Sequence, residues 1–430
     1  MADHVIIGAS AAGVAAAETL RKNDKKASIT IISDEKLTLY SRCLLTYLIA
    51  GAIDEEKLIF KGKDFYEKNN IKTLLGKKAI SIDPKKKAVT LEGGTTVSYD
   101  KLLIATGATP KSVNIPGVDK KGIFTIRKID EARTIIGMLD GVKEVAVLGG
   151  GLIGLRDAYA LGKKGKDVFV IVKSPHILSQ MVDKGASGVI ASTLEKNGIK
   201  IMTGLAAKEF LGGDSVNEIL LDDGKKLKCQ LVIIGKGVKP NTDIASSAGL
   251  KVEDGIKVDK FLKTSDKNIF AAGDVAETYD VARQANRINA LWPCAVEQGN
   301  IAALNMLGKE AAYDGSLSMN SVDFFGLRCI SMGITKPKEE GYEIISKSSE
   351  HSYKKFVLRN NKIVGMVLVG DIKCAGVVSA LIKKGIDVSS VKHILCETKF
   401  DYAKIMPLVK KFSDKFKEEE YQDTIASYKP

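Results

Sequence analysis

A chain of 430 residues with 45% apolar and 27% charged side chains has the composition of an ordinary globular protein, with room for roughly two to four domains. Its 65 Lys plus Arg against 52 Asp plus Glu leave a net charge of +13 in small lysine groups such as Lys85–Lys87 and Lys225-Lys226. That charge reads as a solvated surface or as a face for an acidic partner, and without a binding motif it excludes nucleic acid. No apolar run reaches the ~20 residues that span a bilayer, the N-terminal apolar segment reads as strand plus helix rather than as a signal peptide, and the six scattered cysteines form no C-x-x-C pair; a cytoplasmic protein without a disulfide framework or metal site of its own is expected.

The chain begins with Val5-Ile6-Ile7-Gly8-Ala9-Ser10-Ala11-Ala12-Gly13 and continues to a β-branched run at Ile29–Ile32. An apolar run, a glycine turn, an alanine-rich helical stretch and a second apolar run spell the strand–turn–helix–strand of a dinucleotide-binding unit. Gly8 permits the tight turn and Gly13 lets helix and strand pack closely. Ser10, in the place of the second glycine, is small enough for the backbone to approach a pyrophosphate. The helix start at Ala11 and Ala12 offers free N–H groups and the positive end of a dipole. After the second run, Asp34 and Glu35 are both candidates to meet ribose hydroxyls.

Next comes Leu39-Tyr40-Ser41-Arg42-Cys43-Leu44-Leu45-Thr46-Tyr47. This segment resembles the FAD flavoproteins with two dinucleotide domains, the pyridine nucleotide–disulfide oxidoreductase superfamily. Its Tyr-Ser-Arg-x-Leu-Leu part is similar to rubredoxin reductases and to the flavin part of NADH-dependent nitrite reductases. The resemblance implies that Arg42 lies near FAD and that a proline usually stands where Cys43 is. A cysteine followed by x-Leu-x-Tyr is similar instead to coenzyme A disulfide reductases and NADH oxidases, whose single cysteine abuts the flavin. Cys43 is therefore a candidate catalytic thiol, with a buried apolar cysteine as the alternative.

Farther on, a strand is expected near Ile71–Leu75, and the resemblance implies that a backbone group at Ala79 meets the adenine. The string ending Ala105-Thr106-Gly107-Ala108 matches the family signature at which the chain leaves the FAD domain. The dinucleotide pattern then returns as Val145-Ala146-Val147-Leu148-Gly149-Gly150-Gly151-Leu152-Ile153-Gly154, followed by Val168–Val172. Gly149, Gly151, Leu152, Ile153 and Gly154 are candidates to hold a nicotinamide dinucleotide. Two positions depart from the family. Arg156 stands where Glu commonly sits beside the nicotinamide, and Val172 stands where Glu commonly binds the ribose diol. Val172 cannot accept hydrogen bonds and the adjacent Lys173 suits a 2′-phosphate, which favours NADPH over NADH; weakened nicotinamide binding is the other reading.

The chain returns through Gly237 to Ile269-Phe270-Ala271-Ala272-Gly273-Asp274, which matches the second FAD motif and implies contact of Asp274 with the ribityl and phosphate side. Leu291–Gly299 resembles the segment passing the flavin's pyrimidine edge, with Trp292 and Ala295 as candidate contacts. From about Ser316 strands alternate, at Ser321–Phe325, Arg328–Met332, Lys354–Leu358 and Ile363–Val369, before a helical stretch at Ala375–Lys384. This resembles the family's C-terminal interface domain, which implies docking or a homodimer. Cys329, Cys374 and Cys396 read as structural thiols, and Lys410 to Pro430 as a polar, solvated tail.

The expectation is an α/β chain with two Rossmann-like domains, the second inserted in the first, plus a C-terminal α+β interface domain. The expected division is 1–109 and 240–315 for FAD, 110–239 for NAD(P) and 316–430 for the interface domain and tail. The resemblance implies an FAD-dependent NAD(P)H oxidoreductase serving a redox partner, either an acidic carrier such as rubredoxin or ferredoxin or a larger metal-containing complex. A Cys43-dependent disulfide or persulfide reductase or NADH oxidase is the alternative. A flavin-bound assembly subunit is a third reading.

Overall fold

The computed structural model describes residues 2–397, 400 and 402–417. Two parallel five-stranded sheets form its body. In the first, the strand order is Ile269–Ala271, Lys101–Ile104, Asp3–Ile7, Ser28–Ser33 and Lys72–Leu75. In the second it is Lys200–Thr203, Asp167–Val172, Glu144–Leu148, Leu231–Ile234 and Ile123–Phe124. The central strands are continuous Val, Ile and Leu runs because parallel strands are covered on both faces; Ile6, Ile31, Val147 and Val170 are fully buried.

The two central strands end alike. Gly8 N–H donates to Ile32 O at 2.8 Å, and Gly149 N–H to Ile171 O at 3.0 Å. Helices Ala11–Asn23 and Leu152–Lys163 follow, capped by Ser10 and Gly151. A Cβ on Gly13 would stand 1.8 Å from Gly8 O, and one on Gly154 2.2 Å from Gly149 O, so only glycine lets each helix sit this close to its turn.

The insertion is visible in a two-stranded ribbon. The chain leaves the first unit through Ala108–Pro110 and returns through Val238–Pro240, and the two pair antiparallel. Thr106 and Asn241 clamp the crossing: Thr106 Oγ1 donates to Asn241 O and Asn241 Nδ2 to Thr106 O, each at 2.9 Å.

The C-terminal unit is an antiparallel sheet in the order Met319–Phe324, Leu327–Gly333, Lys362–Val369, Tyr353–Arg359 and Glu343–Ser348, backed by helix Ala375–Lys384. The edge strand Glu343–Ser348 is an addition to the sequence reading; mostly exposed and polar, it carries no period-two apolar signal. The tail requires a correction within its described part. Lys410 and Lys411, which end helix Tyr402–Lys411, are exposed as expected, but Phe416 beyond them is buried in the C-terminal core and anchors the tail there; residues 418–430 lie outside the described ones. Among the described residues no helix is long and apolar enough to cross a membrane, and no group of side chains is placed to hold a metal ion.

Candidate functional site

One cavity of about 1720 Å³ opens where the carboxyl ends of the first sheet face the second unit. That is the crevice in which doubly wound sheets bind ligands, and it exceeds the usual ~300–1,000 Å³ of a small-molecule pocket. The first turn lines it with Gly8, Ser10, Ala11 and Ala12, and the end of the second strand with Asp34 and Glu35. Arg42 and Cys43, then Ala79, then Ala105, Thr106 and Gly107 add further wall. From the second half of the chain come Gly237, Gly273, Asp274, Trp292 and Ala295, together with Leu152 and Ile153 at the start of the second helix.

Five expected residues lie off this wall. Gly13 and Gly154 sit behind their turns as packing residues, Gly149 is in the second turn itself, and Gly151 and Lys173 are exposed on the second unit. The separation is physical: the second fingerprint lies at the carboxyl end of the central strand of its own sheet, and of its residues only the helix start, Leu152 and Ile153, reaches the common cavity.

Three acids on the wall, Asp34, Glu35 and Asp274, are each matched by a cation. Glu35 pairs with Arg42 and also accepts from Tyr40 OH at 2.5 Å. Asp34 pairs with Lys128 at 3.0 Å, and Asp274 with Arg127 at 3.2 Å. Arg42 Nη1 donates in turn to Arg127 O at 2.9 Å, which joins the two networks. Gly273 N–H donates to the buried Gln298 Oε1 at 2.7 Å, fixing the turn that carries Asp274. Trp292 does not stand alone; its ring meets Phe60 edge-on at 5.1 Å.

Arg127 and Lys128 were not legible as site residues. Each acts through a partner distant in sequence, and neither sits in a local pattern.

Cys43 opens onto the cavity, but its expected cation is elsewhere. Arg42 faces Glu35; the guanidinium near the thiol is Arg156, whose Nη2 donates to Cys43 O at 2.8 Å while the group lies 5.2 Å over the Tyr47 ring. Desolvation pushes the Cys43 thiol above its usual value, against the opposing pull of Arg156. Beside Arg156, Asp157 borders the same cavity at 1% exposure, and neither carboxyl oxygen has a hydrogen-bond partner among the described residues. Burial drives its carboxyl well above the usual carboxylate range, against the opposing charge of Arg156.

In the second unit Val172 is buried and Lys173 is exposed. Lys236, a residue not singled out in the sequence, lies near it: burial, with the Lys173 charge adding, holds its ammonium below the usual value. The donor set suits FAD in the cavity. A helix N-terminus meets a turn that a Cβ at Gly8 would block at 2.1 Å from Ala105 O, and acids stand at both ends of the first unit.

Residues 2–299 match the family model described as pyridine nucleotide-disulphide oxidoreductase, and residues 319–386 match the rubredoxin NAD+ reductase C-terminal domain. The chain is 32% identical over 393 residues to a nitrite reductase [NAD(P)H] of Bacillus subtilis, covering 91% of this chain and 48% of that protein. It is 31% identical over 386 residues to an NADH-rubredoxin oxidoreductase of Clostridium acetobutylicum, covering 90% and 94%. It thus spans about half the length of the nitrite reductase and nearly all of the rubredoxin oxidoreductase. Among solved structures, an NAD-dependent persulfide reductase from A. fulgidus superposes with a TM-score of 0.85 at 27% identity, over 90% of this chain and 78% of that one. The insertion, the repeated turns and the matched span leave one classification: this chain belongs to the pyridine nucleotide-disulphide oxidoreductase family, whose members depend on FAD and NAD(P)H.

Proposed function

We propose that this chain is an FAD-dependent NAD(P)H oxidoreductase that delivers electrons to a separate redox carrier protein or to a partner subunit holding a metal centre. FAD, when bound, supplies the chemistry, exchanging hydride with a nicotinamide and releasing electrons onward. The chain's residues bind and orient. Gly8, Ser10, Ala11 and Ala12 hold phosphate, Asp34 and Glu35 stand at the ribose end, and Asp274 meets the ribityl side. Ala79, Thr106 and Trp292 shape the remaining wall, and Leu152 and Ile153 present the nicotinamide to it.

The observation that carries the choice of acceptor is the state of Cys43. A thiol relay works as thiolate. Here desolvation pushes the thiol above its usual value, Arg42 is engaged by Glu35, and Arg156, whose charge pulls the other way without overcoming the burial, also binds the carbonyl of Cys43. No second cysteine lines the cavity among the described residues. The likeness of residues 319–386 to a rubredoxin reductase domain supports the carrier reading, and the greater length of the nitrite reductase relative supports a partner unit. The net charge of +13 suits an acidic partner. A disulfide or persulfide acceptor is the second reading, favoured by the opening of Cys43 onto the cavity. The buried Val172 and the paired Lys173 and Lys236 favour NADPH as the donor.

The test is anaerobic reduction by NADH and by NADPH, followed by delivery to a rubredoxin, a ferredoxin or an artificial dye. Cys43→Ser should leave flavin bleaching and carrier reduction intact, and raised salt should slow delivery to an acidic protein. Loss of every acceptor activity in Cys43→Ser would overturn the carrier reading.

A further inference from the structure

Residues 173–183 connect the strand Asp167–Val172 of the second sheet to helix Lys184–Lys196. In a dinucleotide unit the ribose lies at the end of this strand, so this loop borders it. The loop is laid against the second glycine turn. Leu178 N–H donates to Gly150 O at 2.6 Å, and a Cβ on Gly150 would meet a Val172 methyl at 2.7 Å and Ile177 Cγ2 at 3.2 Å. Leu178 holds φ 51°, a left-handed conformation that a side chain of its size keeps only when the surroundings over-determine it.

Those surroundings come from the C-terminal sheet. Asp183 caps helix Lys184–Lys196, accepting from Ala186 N–H at 3.2 Å. The same carboxylate accepts Tyr353 OH at 2.8 Å and Lys355 Nζ at 2.6 Å, both from the strand Tyr353–Arg359. Lys355 is 5% exposed, so its ammonium is anchored where an unpaired charge would be costly. A second anchor reaches the loop's middle, with Lys336 Nζ donating to Ser179 O at 2.7 Å. Leu178, Val182 and Ala186 also share one apolar core with Tyr353, Val367 and Val369.

We propose that Asp183, Tyr353, Lys355 and Lys336 are positioning residues for nicotinamide dinucleotide binding: the C-terminal sheet holds the 173–183 loop in the shape that presents Lys173 beside the second glycine turn. The inference rests on the reading of the second unit as the nicotinamide site. It gives the C-terminal sheet a part in donor binding, in addition to any docking.

The experiment uses the full flavin-loaded chain and the double variant Lys336→Ala/Tyr353→Phe, which removes one hydrogen bond from each anchor and leaves the Lys355–Asp183 pair. Two lost hydrogen bonds should raise KM for the better of NADH and NADPH about three- to tenfold, with kcat and flavin content within about twofold of wild type. Hydrogen exchange at the Leu178 amide should quicken in the same variant, and the single variants should fall between. Wild-type KM and wild-type Leu178 exchange would overturn the proposal, as would a parallel loss of kcat, KM and flavin, which marks plain destabilisation. Failure of wild type to be reduced by either dinucleotide would remove the nicotinamide reading and this inference with it. Normal wild-type reduction with unchanged variants would remove this inference alone.

Discussion

Replacing Gly13 by alanine separates the two dinucleotide sites from each other. The added Cβ would lie 1.8 Å from Gly8 O, 3.0 Å from Gly8 C and 3.2 Å from Ile6 Cγ2. An ordinary carbon contact is ~3.5 Å or more, and two of the three obstacles are backbone, which cannot rotate aside. The helix must lift or the turn must open, at a cost of about 1–3 kcal/mol for an overpacked site. If the distortion falls on the turn that faces phosphate, the same figure is about one to two decades of flavin affinity. Gly154→Ala is the matched control in the second unit, with its Cβ 2.2 Å from Gly149 O. Flavin per chain from visible absorbance, and bleaching by NADH or NADPH, read the outcomes. Gly13→Ala should be pale or colourless, and Gly154→Ala yellow but slow to bleach. A fully yellow Gly13→Ala that bleaches normally would refute the placement of FAD at the first turn.

Asp274→Ala removes an acceptor from the cavity and leaves Arg127 without its 3.2 Å partner; purified variant should lose flavin, and normal flavin content would mean that the aspartate does not serve the cofactor. Lys173→Glu should weaken NADPH by about one to two decades relative to NADH, the worth of one charge-assisted contact, and equal use of both before and after would dismiss a 2′-phosphate contact. Asp157 has a folded pKa raised by burial, so its contribution to stability is complete below the unfolded carboxylate value of about 3.9 and fades as pH rises toward the folded one. Asp157→Asn should therefore melt higher than wild type at neutral pH, with the difference closing toward pH ~4; a difference independent of pH would contradict the raised pKa of the buried acid.

What the sequence makes legible here is what glycine and β-branched residues force locally. The turns at Gly8–Gly13 and Gly149–Gly154 announce themselves because no other residue fits against the carbonyls of Gly8 and Gly149. Helix Ala375–Lys384 was readable to the residue, since its apolar face repeats at helical spacing. Pairings across the chain were not. Arg42 is next to Cys43 in sequence, yet its side chain turns to Glu35, and the cation near the thiol comes from Arg156 in another unit. Arg127 becomes a site residue only because the fold brings it to Asp274. The described tail looked polar because its lysines outnumber its anchors, although Phe416 is buried in the C-terminal core.

The ribbon of Ala108–Pro110 and Val238–Pro240 has a consequence for the order in which the chain assembles. Strand Ile269–Ala271 must find Lys101–Ile104, and the Lys101–Asn268 hydrogen bond beside that pairing closes a separation of 167 residues. Closing so long an open loop costs entropy that rises by about 0.6 kcal/mol with each doubling of length, and non-local pairing of this kind is slow. The inserted unit carries its own central strands, and once it has formed, the ribbon holds the two chain ends side by side. The long loop then behaves as a short one. The expected order is therefore the inserted unit first and the last strand of the first sheet late; pulse-labelled hydrogen exchange should protect Glu144–Leu148 before Ile269–Ala271, and the reverse order would contradict it. A truncation before Ile269 leaves Lys101–Ile104 as an unpaired sheet edge, open to pairing with another copy of the chain.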